Sequence, residues 1–111
     1  MKGVLKMTKE EIKNIIEAKG AEFGFEIEKT NLTWGVTGKA ATIQIFTETD
    51  YEKTDWENKT ACVKVTTSAF ISSMGGNPDP EELLKAADEI ARAAKFAKAI
   101  NEMELAFTKK F

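Results

Sequence analysis

Near the start of the chain Ile12, Ile15 and Ile16 recur at helical spacing among lysines and glutamates, the pattern of a helix with one buried face. Ahead of them Thr8-Lys9-Glu10-Glu11 has the form of a capping box, and Met7 and Ile12 are placed to clasp the first turn as a hydrophobic staple. Gly20 offers the left-handed stop that many helices use. These signals predict a first helix over about residues 9–19. From Glu22 the period changes to two, with Phe23, Phe25 and Ile27 set against Glu22, Glu26 and Glu28, which predicts a half-buried strand.

Thr30-Asn31 and Gly38-Lys39 read as turns on either side of a second strand, in which Leu32, Trp34 and Val36 alternate with Thr33, Gly35 and Thr37. Ala41, Ile43 and Ile45 form the inward set of a third strand, and Ala61, Val63 and Val65 that of a fourth. Short connections imply an antiparallel meander. The polar stretch Glu48 to Asn58 is either a long loop or the tip of an extended hairpin, and Ser72 to Pro78 is loop chemistry.

Asp79 as N-cap, Pro80 at the first helical position and Glu81 and Glu82 in the first turn begin a long alanine-rich helix. Taken over about 80–108 it would be roughly 45 Å long, against a radius of gyration of about 13 Å for a compact chain of this size. Such a helix must bend or overhang. Its apolar stripe also moves: Leu83, Ala87, Ile90 and Ala94 mark one face, and Phe96, Ile100, Met103 and Phe107 another, rotated by roughly 120°. The expectation is that the first half packs on the sheet. The second half then serves as a homodimer interface through Phe96, Ile100, Met103 and Phe107, or, with a bend near residues 97–101, packs on Ile12, Ile15 and Ile16.

Assembled, these elements predict one α+β domain over residues 1–111 in the order α-β-β-β-β-α: a four-stranded antiparallel sheet with the N-terminal helix and the long C-terminal helix on one face. Residues 1–6 are expected to be a disordered leader, or to precede a start at Met7.

Composition fits an ordinary folded domain, at 42% hydrophobic and 31% charged residues. Cys62 is the only cysteine, which excludes an intramolecular disulfide and a thiolate metal cluster. No signal-peptide stretch and no apolar run of membrane-spanning length is seen, so a cytoplasmic location without membrane contact is expected. The net charge of −2 is unevenly spread: residues 1–20 carry five lysines and three glutamates (+2), 21–58 three lysines and eight acids (−5), and 59–111 eight basic and seven acidic residues (+1). So small a charge gives no general attraction to phosphate.

The chain has no histidine, which removes the commonest general base and metal ligand. No motif singles out a nucleophile, so neither catalytic residue, metal nor cofactor is assigned, and an enzyme working through carboxylate or lysine stands third among the readings. Asp50, Glu52, Asp55 and Glu57 lack the central glycine and closing glutamate of an EF-hand loop. Gly75-Gly76 lacks the lysine of a phosphate loop and precedes Asp79, Glu81 and Glu82, whose charge opposes phosphate. Tyr51 and Trp56 are different, because large aromatics in a polar segment either fold onto the core or await a partner. Phe46 and Cys62 share the outer strand phase, forming a second contact patch or lying beneath Trp56.

In element order the chain resembles the double-stranded-RNA-binding domain, although Asp79-Pro80-Glu81-Glu82 stands where that family has a lysine-rich helix start. The residues favour a non-enzymatic protein-binding, adaptor or inhibitor-type module using Tyr51, Trp56 and Phe46, of the size of accessory proteins in bacteria and their phages. The alternative is a nucleic-acid-binding module, with Lys6, Lys9 and Lys13 meeting phosphate and the loop aromatics stacking on bases.

Overall fold

The computed structural model describes residues 7–27, 34–37, 40–72 and 76–111, with side chains from 34 to 37 left aside. The expected leader at 1–6, both turns bounding the second strand, and Lys6 lie outside these residues. Helix α1 (Lys9–Glu22) is followed by strands β1 (Trp34–Thr37), β2 (Ala41–Asp55) and β3 (Thr60–Ile71), helix α2 (Pro80–Glu102) and strand β4 (Ala106–Lys110). The sheet order is β1-β2-β3-β4, antiparallel throughout.

The molecule is α+β as expected, but four consecutive strands become three, and the remaining strand comes from the chain's end. Residues 23–27 do not join the sheet. Gly20 lies inside α1, which runs on to Glu22 and closes at Phe23 and Gly24, the latter at φ +84°. Phe25 N–H then donates to Gly20 O at 2.8 Å, so that amide completes the helix end instead of a ladder. The period-two alternation still predicts burial correctly: Phe25 and Ile27 are buried, and the Phe23 and Phe25 rings lie 6.4 and 6.3 Å from Phe96.

At its start α1 has both halves of the capping box, Glu11 N–H to Thr8 Oγ1 at 3.1 Å and Thr8 N–H to Glu11 Oε1 at 2.9 Å. Its Ile12 and Ile16 are fully buried against Ile43, Ile45, Val63 and Val65 of the sheet, with Phe96 and Ile100 of α2 in the same core. Arg92 ties the two helices together. Its Nη1 donates to Phe23 O at 2.8 Å, its Nε pairs with Asp88 at 2.8 Å, and the guanidinium lies 5.0 Å from the centre of the Phe25 ring.

Two further corrections concern α2. It stops at Glu102 rather than near Thr108, because Glu104 takes a left-handed conformation (φ 51°) and the period becomes two, burying Leu105 and Phe107. The first-half stripe at Leu83 does not cover the sheet, whereas Phe96 and Ile100 of the second half pack within the chain in one core with Ile12 and Ile16, the second of the two expected arrangements. Ala93, Phe96 and Ile100 are fully buried, whereas Leu83 and Leu84 remain 52% and 72% exposed. At 23 residues the helix is about 35 Å long, and its first turns overhang one end of the sheet. The β2–β3 hairpin projects at the other end, giving extents of 58 × 25 × 22 Å.

Candidate functional site

The segment from Glu48 to Asn58 is the tip of an extended hairpin. Along β2 the register advances five residues from Asp50 to Asp55 while β3 retreats only two, from Cys62 to Thr60, so β2 carries a large bulge. Its causes are local. Asp50 Oδ1 accepts from the amides of Glu52 and Lys53 at 3.2 and 3.3 Å, an Asx-type turn. Thr54 is buried in the bend, donating from Oγ1 to Asp50 O at 2.7 Å and accepting there from Cys62 N–H at 3.2 Å.

This bulge and the following turn bring Tyr51 and Trp56 into an offset stack. Their ring centres are 6.3 Å apart and their planes 5° from parallel, and Trp56 meets the Phe111 ring edge-on at 5.6 Å. Asp55 holds the turn by accepting from Asn58 N–H at 3.1 Å. Phe111 is held by its own N–H, which donates to Lys59 O at 2.9 Å. Tyr51, Trp56 and Phe111 are 69%, 59% and 59% exposed, so the cluster is organised by backbone geometry rather than by burial.

Beneath the aromatics lies a concavity of about 540 Å³, formed where the sheet extends past the reach of the helices. Its floor includes Thr47 and Thr49 of β2, Val63 of β3 and Phe107 of β4. The start of α1 makes one wall: Met7 bridges to Phe107, and Lys9 Nζ lies 5.5 Å from the centre of the Phe107 ring. Lys109 is at the rim and Glu48, which pairs with Lys64 at 3.3 Å, also borders the hollow.

Of the partner-binding residues read from the sequence, Tyr51 and Trp56 therefore meet at one site and Phe46 does not. Phe46 is half-buried on β2 and does not line the hollow. Cys62 is buried opposite Asp50 and borders a different concavity with Lys53, Lys64 and Leu105. Trp56 lies at the Tyr51 hollow, which Cys62 does not line. Lys9 stands with the aromatics, whereas Lys13 is elsewhere on α1. The residues expected at a dimer interface are distributed differently as well. Phe96, Ile100 and Phe107 are buried within one chain, and Met103 is left 39% exposed. Phe111 was absent from the sequence-based set, although Leu105, Phe107 and Phe111 share a period-two phase.

Among the described residues no group of three or more acidic or thiol side chains is gathered as a metal site, and no helix is long and apolar enough to cross a membrane. Comparison with protein-family models, curated proteins and solved structures gives no match.

Proposed function

We propose that the chain is a non-enzymatic protein-binding module, of adaptor or inhibitor type, whose contact surface is the hollow framed by Tyr51, Trp56 and Phe111. The observation that carries this reading is the exposure of three rings packed in series, Tyr51 on Trp56 and Trp56 on Phe111, above a floor that includes Val63 and Phe107. Solvated singly, such rings need no explanation; held together and pre-ordered they provide the rigid aromatic anchors that dominate protein interfaces at low entropic cost. The hollow suits an apolar or aromatic side chain presented by a partner.

Nucleic acid is the second reading, favoured by Lys9 and Lys109 at the same hollow as Tyr51 and Trp56. Against it, residues 48–58 carry five carboxylates and one lysine, placing negative charge on the arm that holds the aromatics. The test compares proteins captured from native-host extract by the wild type and by a folded Tyr51→Ala/Trp56→Ala variant, with a parallel titration of single-stranded oligonucleotide. A captured protein lost specifically with the double variant supports the reading. Unchanged capture, or salt-dependent oligonucleotide binding abolished by Lys9→Ala, overturns it.

A further inference from the structure

The exposed flank of α2, beginning in its overhanging turns, carries a second apolar surface that shares no residue with the aromatic hollow. Leu84, Ala87, Ala91, Ala94 and Lys98 are all exposed and follow the alternating three-and-four spacing of a helix-pairing seam. At 3.6 residues per turn their mean direction is about 120° around the helix from Arg92, which reaches α1, and about 140° from the buried face. The seam is therefore on the flank facing neither α1 nor the sheet. Leu83 borders it, and Leu83 and Leu84 are 52% and 72% exposed.

We infer that this flank pairs with the same flank of a second copy, the two α2 helices antiparallel about a two-fold axis near residue 89. Shape and charge both favour that occupant. In this register Leu84 of one copy faces Ala94 of the other and Ala87 faces Ala91, so the large side chain at one end of the seam meets a small one from the other end. Small residues along the centre let the helices approach closely. The charges beside the seam favour the same arrangement: Glu81 lies at the helix start and Lys95 towards its end, while Asp88, which meets its own copy at the axis, is already paired with Arg92 of its own chain. Antiparallel pairing brings Glu81 against Lys95 twice and aligns the helix dipoles favourably. Parallel pairing would instead oppose like charges and leave leucine against leucine.

Sedimentation equilibrium of the full chain tests the pairing. The expected result is a wild-type dimer at high micromolar concentration and a folded Leu84→Glu monomer with little change in melting temperature. Glu81→Lys and Lys95→Glu are each expected to weaken the dimer about fivefold, the effect of an exposed ion pair made twice. Combining them restores the charge match and should recover the wild-type dissociation constant, a rescue that simple loss of folding cannot produce. A wild-type monomer throughout, a dimer indifferent to Leu84→Glu, or a combined variant no tighter than the single ones overturns the inference.

Discussion

The side chain of Asn101 takes the place of a strand residue beside Thr67: Asn101 Oδ1 accepts from Thr67 N–H and Asn101 Nδ2 donates to Thr67 O, both at 2.9 Å. β4 pairs with β3 only from Thr60 to Lys64, and Leu105 O accepts from Val65 N–H at 2.9 Å. The helix side chain thus continues a ladder that the backbone no longer supplies. Asn101→Ala is expected to cost about 1–2 kcal/mol by leaving partly buried backbone groups unpaired. Urea denaturation measures the loss, and faster amide exchange at Thr67 would localise it.

Thr67 carries an opposite imbalance. It is 3% exposed and its Oγ1 has no hydrogen-bond partner among the described residues, so the fold bears the desolvation of a hydroxyl without return. Thr67→Val preserves the branched shape and removes that group. The expected result is a gain of up to about 1 kcal/mol in urea denaturation, since the backbone bonds to Asn101 remain. A destabilised variant would refute this account of the hydroxyl.

Gly20 is a helical glycine at which alanine should do harm. A Cβ there would stand 2.7 Å from Ile27 Cδ1 and 3.3 Å from Phe25 O. Alanine ordinarily gains about 1 kcal/mol over glycine inside a helix, but the close carbonyl belongs to the segment that closes α1 and cannot move alone. Gly20→Ala is therefore expected to lower the melting temperature, whereas a raised one would show that residues 25–27 yield freely.

Glu89 receives both Ala40 N–H and Ala41 N–H on Oε2, at 2.6 and 2.7 Å. Those residues begin β2 and are nearly fully buried. Glu89→Ala should cost about 2–3 kcal/mol, as two buried donors lose a charged acceptor. Glu89→Gln, which keeps a carbonyl oxygen, should cost distinctly less; equal costs in chemical denaturation would mean that the acceptor geometry is irrelevant.

The sequence made the Thr8 capping box and the inward phase of Ile43, Ile45, Val63 and Val65 legible because each is a local or strictly periodic signal. It obscured the ends of both helices. Phe25 and Ile27 alternate like strand residues because they are buried on one side, yet alternation does not reveal whether a neighbouring strand supplies hydrogen bonds. At the other end Phe96, Ile100, Met103 and Phe107 fit a helix, while Leu105 and Phe107 fit a strand equally well. Glu104, a non-glycine residue at positive φ, gave no warning of the break, and nothing local to Asn101 marks it as a ladder surrogate for Thr67. Tyr51 and Trp56 stood out as aromatics among acids, but their stacking depends on a three-residue excess in β2 that no motif announces.

The aromatic cluster provides the sharpest separation between folding and binding. Tyr51 and Trp56 are mostly exposed and stack on each other rather than filling the core. The turn below them is held by Asp50, Thr54 and Asp55 through contacts that alanine at 51 or 56 leaves in place. An exposed aromatic pair is worth about 0.5–1.5 kcal/mol, so Tyr51→Ala/Trp56→Ala should lower stability by no more than about 1.5 kcal/mol. Anchoring rings at an interface commonly cost 2 kcal/mol or more when truncated, so partner affinity should fall at least about thirtyfold. Phe111→Ala should produce a smaller loss of the same kind, since it removes the edge contact to Trp56 but leaves the Phe111 N–H to Lys59 O bond intact. Urea denaturation and calorimetric titration with a captured partner measure the two quantities separately. A stability loss of 3 kcal/mol or more, with affinity unchanged in the folded fraction, would make the cluster a structural clasp for the hairpin instead of a binding surface.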